Sequence, residues 1–136
     1  MQLLDIYNLF QLENKNFYTT FDQLNNNTVT YDLPVIVAQF EKASAATVGF
    51  LTYTFTVGYV DRIDGSLATG DPAEVATRQS EAIVCLQGII DRFTADRDSD
   101  FEIRYGDIIP FQQRFDALTA GAYLTIEITV PAGCGD

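Results

Sequence analysis

Between Phe50 and Val60 the chain alternates strictly. Leu51, Tyr53, Phe55, Val57 and Tyr59 fall on one side, and Thr52, Thr54 and Thr56 on the other. A period of two is the mark of a half-buried strand. One face belongs to a core; the other is a threonine ladder, solvated or set against a neighbour. The same period returns at Tyr123–Val130, where Leu124, Ile126, Ile128 and Val130 alternate with Tyr123, Thr125, Glu127 and Thr129. This most regular strand is expected to be central to the sheet or to close it. Phe101, Ile103 and Tyr105 alternate with Glu102 and Arg104, a bend falls at Ile108-Ile109-Pro110, and the strand resumes over Phe111–Phe115. Asp116–Gly121 reads as a loop with a tight break at Gly121. Val35–Phe40 reads as a strand with Pro34 at its start, where no ladder donor is lost. Glu41–Gly49 reads as a small, polar, flexible loop and Asp61–Gly70 as a polar one.

Two segments carry a helical period instead. Over Leu3–Glu13, apolar residues recur at spacings of three and four, and Asn14-Lys15-Asn16 ends the run. Phe17–Phe21 follows as a short strand and Gln23–Thr28 as a turn, since Asn accepts left-handed dihedrals and caps its own backbone. The second helix is announced by Asp71 as N-cap, Pro72 at the first position and Glu74 three on from the cap. It is expected to run to about Asp96. Ala76, Ile83, Leu86, Ile90 and Phe93 form its buried stripe, widened by Val75, Ala82 and Ile89. Arg78, Glu81, Asp91 and Arg92 mark its wet side.

The order is helix, strands, long helix, strands. Elements segregate rather than alternate, which predicts an α+β fold: a mostly antiparallel sheet with one long helix and a short N-terminal helix packed on one face. At 136 residues the chain reads as a single domain, 1–136, with no repeat or dividing linker. A domain of this size buries roughly 65–70% of its unfolded surface and needs no staple.

Charge narrows the function. Nineteen acids against eight bases leave a formal net charge of −11. That disfavours neutralising a phosphate backbone or an anionic membrane surface. It suits solubility, and it also suits a channel through which DNA must slide without sticking. No apolar run approaches the ~20 residues that span a bilayer, and Met1-Gln-Leu-Leu-Asp lacks a basic n-region. The chain is expected to stay in, or assemble in, the cytosol.

Histidine is absent, among ten Phe, seven Tyr and no Trp. A Ser-His-Asp or Cys-His constellation therefore cannot be built. Cys85 lies in the helical pattern and is expected to be a buried small hydrophobe, Cys134 lies in the C-terminal tail, and two cysteines make no disulfide framework. Asp96, Asp98 and Asp100 have the spacing of the first ligands of a calcium loop. Phe101 stands where its glycine belongs and Asp107 where its glutamate belongs, so the run reads as a solvated turn. Asp61, Asp64 and Asp71 bracket Gly65 and Gly70 without forming a phosphate cradle. No catalytic, cofactor-binding or metal residue is assigned, and no cofactor. A sheet-lined pocket of Phe and Tyr side chains would make the chain a small α+β binding module for a ligand or protein. Paired carboxylates would make it a histidine-free hydrolase.

A resemblance gathers several of these stretches: Leu51-Thr-Tyr-Thr-Phe-Thr-Val-Gly-Tyr-Val-Asp, the helix Ala73–Thr94, Phe101-Glu-Ile-Arg-Tyr, Pro110-Phe-Gln-Gln-Arg-Phe-Asp, Gly121-Ala-Tyr-Leu-Thr-Ile-Glu-Ile-Thr-Val-Pro, and Cys134. Over about residues 33–134 the chain resembles small virion proteins of tailed bacteriophages of Bacteroidetes hosts, crAss-like phages included. Their C-termini commonly read Gly-Trp, an alternating strand, then Val-Pro-Asn-x-Cys. Here Tyr123 follows Ala122, and the ending is Val130-Pro131-Ala132-Gly133-Cys134. The order of elements is similar to that of phage tail-terminator and tail-completion proteins. The resemblance implies a structural virion protein of the tail or neck. It would form a homomeric ring, six- or twelve-fold, between head connector and tail tube proteins. DNA would pass through its lumen without sequence-specific contacts, and no membrane or catalytic residue would be involved. The threonine row and the loops Glu41–Gly49 and Asp61–Gly70 are then candidate interface elements.

Overall fold

The computed structural model describes residues 3–11, 15–25, 33–45, 48–63, 72–95, 101–114 and 118–131. Six strands form one sheet: β1 (Asn16–Tyr18), β2 (Val35–Ser44), β3 (Phe50–Arg62), β4 (Glu102–Tyr105), β5 (Ile109–Arg114) and β6 (Leu118–Pro131). Their spatial order is β1-β2-β3-β6-β4, and β5 pairs with β6 on the same side as β4. Among the described strands only the β1–β2 pair is parallel. The helices α1 (Leu3–Phe10) and α2 (Pro72–Ala95) pack on one face, as the α+β expectation required.

β6 is an interior strand, paired along both sides. It pairs with β3 from Arg62↔Thr119 to Phe50↔Pro131, and β4 and β5 share its other side. The expected loop Asp116–Gly121 is therefore corrected: Leu118–Gly121 belongs to β6, and Gly121 sits inside the ladder opposite Val60 rather than at a break. Between Tyr105↔Ile126 and Ile109↔Tyr123, three residues of the outer strand oppose two of β6. β4 and β5 are thus one edge strand bent by a bulge at 106–108. Pro110 sits on that edge, where its missing donor costs no ladder bond.

The flexible loop expected from Glu41 is also corrected. Glu41–Ser44 continues β2, paired with β3 as far as Ser44↔Thr52. The register slips between Phe40 and Lys42, so Glu41 is the extra residue. Pairing with β3 decides here, and the small, polar local sequence does not. β3 likewise runs on through Asp61 and Arg62, which the sequence placed in a loop. The expected strand Phe17–Phe21 is cut to β1, because a 3-10 helix, Phe21–Asn25, starts at Phe21. Gln39 on β2 sets that start: its Oε1 accepts from the Phe21 N–H at 2.9 Å. α1 stops at Phe10, short of Glu13. The expected N-cap Asp71, the segment Asp64–Gly70, the Asp96–Asp100 turn and Cys134 lie outside the described residues.

The core lies between the helices and one sheet face. Ile36, Ala38, Phe55, Val57, Ala122, Leu124, Ile126 and Ile128 meet Ile6, Phe10, Ala82, Leu86, Ile89, Ile90 and Phe93. Rings link the layers. Phe55 makes edge contacts with Phe10, Tyr7 and Phe40 at centroid distances of 5.0, 5.6 and 5.3 Å, and Phe93 stands 5.0 Å from Phe10. Each such pair contributes about 0.5–1.5 kcal/mol beyond its area. The α2 stripe is rotated from the expected one. Ala76 and Ile83 are exposed, and Ala82, Leu86, Ile89, Ile90 and Phe93 do the packing. The Arg92 guanidinium donates to the Gln11 carbonyl, tying the end of α1 to the last turns of α2.

Candidate functional site

The sheet face away from the helices divides into two halves. At one end the 3-10 helix covers it: Leu24, Val35, Val37 and Val60 form a second small core, flanked by Tyr18, Phe21, Leu33 and Phe111. At the other end the face carries the threonines. Register sets Thr52 beside Thr129, Thr54 beside Glu127 and Thr56 beside Thr125. The Thr52 and Thr129 hydroxyls share a hydrogen bond of 2.9 Å. Thr54 is only 8% exposed. Its neighbours Glu127 and Lys42 stand beside it in the row and carry the polarity of the face to solvent. The edge strand adds Glu102 beside Thr129 and Arg104 beside Glu127. A shallow groove of about 480 Å³ crosses this end, lined by Phe50, Thr52, Phe101, Glu102, Arg104 and Glu127. Phe50 is 44% exposed. The alternating pattern signalled the threonine row. The β4 contribution depends on pairing with β6, which no local signal carries.

A second cluster forms where β3 passes under α2. Arg78, expected on the wet side of the helix, reaches back to the sheet: its Nη1 lies 3.6 Å from Asp61 Oδ2 and 3.3 Å from Glu81 Oε2. The Asp61 Oδ1 accepts from the Arg62 N–H at 2.7 Å. Burial nonetheless outweighs these contacts and holds the Asp61 carboxyl above its ordinary range. Tyr59 is pushed up to about 12, first by burial and then by the Asp61 charge. The Lys15 ammonium stands 5.7 Å from the centroid of the Tyr59 ring, a cation–π arrangement. Cys85 is half-buried rather than fully buried, and burial pushes its thiol up, against the opposing pull of Lys15.

These shifts run against nucleophilic chemistry. A reactive cysteine needs a depressed pKa and an activated tyrosine an accessible phenolate; here both groups are held protonated. The Arg78–Asp61 ion pair joins β3 to the first turns of α2. Gln79 adds a second tie, donating from Nε2 to the Phe111 carbonyl at 3.1 Å. Among the described residues no three His, Cys, Asp or Glu side chains converge as metal ligands. No described helix is long and apolar enough to cross a membrane. No protein-family model matches the chain, and no curated protein matches its sequence.

Proposed function

We propose that this chain is a structural virion protein that forms a homomeric ring at the head–tail junction or tail end of a tailed phage. Its place would be the tail or neck, assembled in the host cytoplasm. Its neighbours would be the head connector and the tail tube, with DNA passing through the lumen. The observation that carries this reading is the half-covered sheet. One end of the outer face is sealed by the 3-10 helix, and the other presents a row of threonines with charged ends and no covering element among the described residues. A β-branched, hydrogen-bonding, low-entropy surface on a rigid sheet suits repeated subunit contact. The net charge of −11 suits a lumen that must not retain DNA. The titratable cluster, held in its unreactive forms, is consistent with a role without catalysis.

Sedimentation velocity across a concentration series, followed by electron-microscopy class averages, tests the reading. Closed rings of one stoichiometry are expected. A strict monomer at the highest concentration overturns it, and a ring with a basic lumen removes the DNA-passage part.

The groove beside Phe50 and Phe101 favours the second reading, a small binding module without catalysis. That reading expects a monomer whose melting temperature rises with a ligand and whose response is lost in Phe50→Ala.

A further inference from the structure

Rows of residues can be followed across the sheet. Ser44, Thr52, Thr129 and Glu102 stand side by side on β2, β3, β6 and β4, and so do Lys42, Thr54, Glu127 and Arg104. β2 and β4 therefore bound the sheet at the same height, at the threonine end. β1 reaches only Val35–Val37 of β2. Among the described residues, no strand pairs with the outer side of β2 from Ala38 to Ser44, nor with the outer side of β4. The opposite end is bounded differently. There β1 has three residues, and β5 carries Pro110, which has no N–H to offer.

Strand directions make the two open edges complementary. β2 is antiparallel to β3, β3 to β6 and β6 to β4. β4 therefore runs opposite to β2. A second copy set beside β4 in the same orientation would present its β2 antiparallel to that β4, continuing the alternation. Repetition in one orientation is the head-to-tail contact that makes a ring where the rotation per copy closes and a filament where it does not.

Charge supplies the register. Glu41 and Lys42 on one edge and Glu102 and Arg104 on the other are exposed. With Lys42 opposite Glu102, unlike charges meet on the threonine face and Ala43 stands opposite Phe101. A register in line with the rows would instead set Lys42 against Arg104, and like charges directly opposite destabilise. Charged edge residues block indiscriminate pairing while favouring one partner.

We infer that the outer edge of β2 in one copy of this chain pairs, antiparallel, with the outer edge of β4 in the next, so that the partner at this edge is a second copy and the subunit sheets run together. The inference rests on the ring reading above and names its interface.

The test is a cysteine pair, Lys42→Cys with Glu102→Cys, in the full chain carrying Cys85→Ser and Cys134→Ser. The sample is oxidised with copper phenanthroline and read on a non-reducing gel, with native mass spectrometry of the unoxidised sample alongside. A ladder of covalent multimers is expected from the pair alone, ending at the stoichiometry of the ring, and neither single cysteine should give one. A closed ring that yields no ladder overturns this edge pairing and leaves the ring reading standing. A monomer without a ladder overturns both. A dimer, or cross-linking by either cysteine alone, overturns the inference by showing a two-fold contact. In a second arm, Lys42→Glu should lower the assembled fraction at least tenfold, and adding Glu102→Lys should restore it. Failure of that rescue, with circular dichroism showing both variants folded, overturns the register.

Discussion

Gly121 on β6 packs directly against the Tyr59 carbonyl of β3. A Cβ at that position would overlap the carbonyl oxygen and lie 2.9 Å from the carbonyl carbon. The close approach belongs to backbone, so no side chain can move aside. Gly121→Ala is expected to lower stability by about 3 kcal/mol, at the upper end for overpacking in a core. Urea denaturation checks this. Gly88→Ala on α2 meets nothing within 4 Å. It should instead raise stability by about 0.5–1 kcal/mol through helix propensity.

The rotated stripe of α2 separates two isoleucines that the helical period alone would group together. Ile90 is 2% exposed and Ile83 is 39% exposed. Ile90→Ala should cost about 2–5 kcal/mol, as buried truncations do. Ile83→Ala should stay within about 1 kcal/mol. Equal losses in chemical denaturation would return Ile83 to the core.

Asp61 gives stability a pH dependence of defined sign. Its folded-state pKa lies above its ordinary value because burial disfavours the charge. The fold therefore binds the Asp61 proton more tightly than the unfolded chain does. This group favours folding at pH below the ordinary carboxylate value, and that contribution is lost as pH rises through the raised one. The stability of the native chain relative to Asp61→Asn should fall between pH 3 and neutrality. Paired urea titrations at several pH values measure it, and a difference that rises with pH would contradict the burial-dominated account.

Tyr59 should be visible in an alkaline titration followed at 295 nm. Its phenol is pushed up to about 12, and Tyr7 is also raised by burial. Stability from Tyr59 is present below pH 10 and is lost as pH climbs toward 12. Tyr59→Phe should remove one late-titrating phenol and leave the other six.

Much of the fold was legible because periodicity reports burial. The alternation at Phe50–Val60 and Tyr123–Val130 located β3 and β6, and Pro72 marked the first position of α2. What escaped depends on partners distant in sequence. Glu41–Ser44 and Leu118–Gly121 look like loop sequence, yet pairing with β3 and β5 holds both in the sheet. Arg78 looks like surface, yet it reaches Asp61. The threonine face was readable from spacing. The Lys15–Tyr59–Asp61–Arg78 cluster was not, since it joins β3, α2 and the residue before β1 with no shared motif.

The place of β6 also bears on how the chain acquires its structure. Its pairs with β3 span 57 residues at Arg62↔Thr119 and 81 at Phe50↔Pro131. Until residues 118–131 are available, Leu51, Phe55 and Val57 sit on a strand that lacks one of its two neighbours. Such distant pairing slows folding toward the millisecond-to-second range and lengthens the exposure of an apolar strand edge. A nascent chain that has emerged only as far as α2 can pair β2 with β3, but it leaves the other side of β3 open until residues 118–131 arrive.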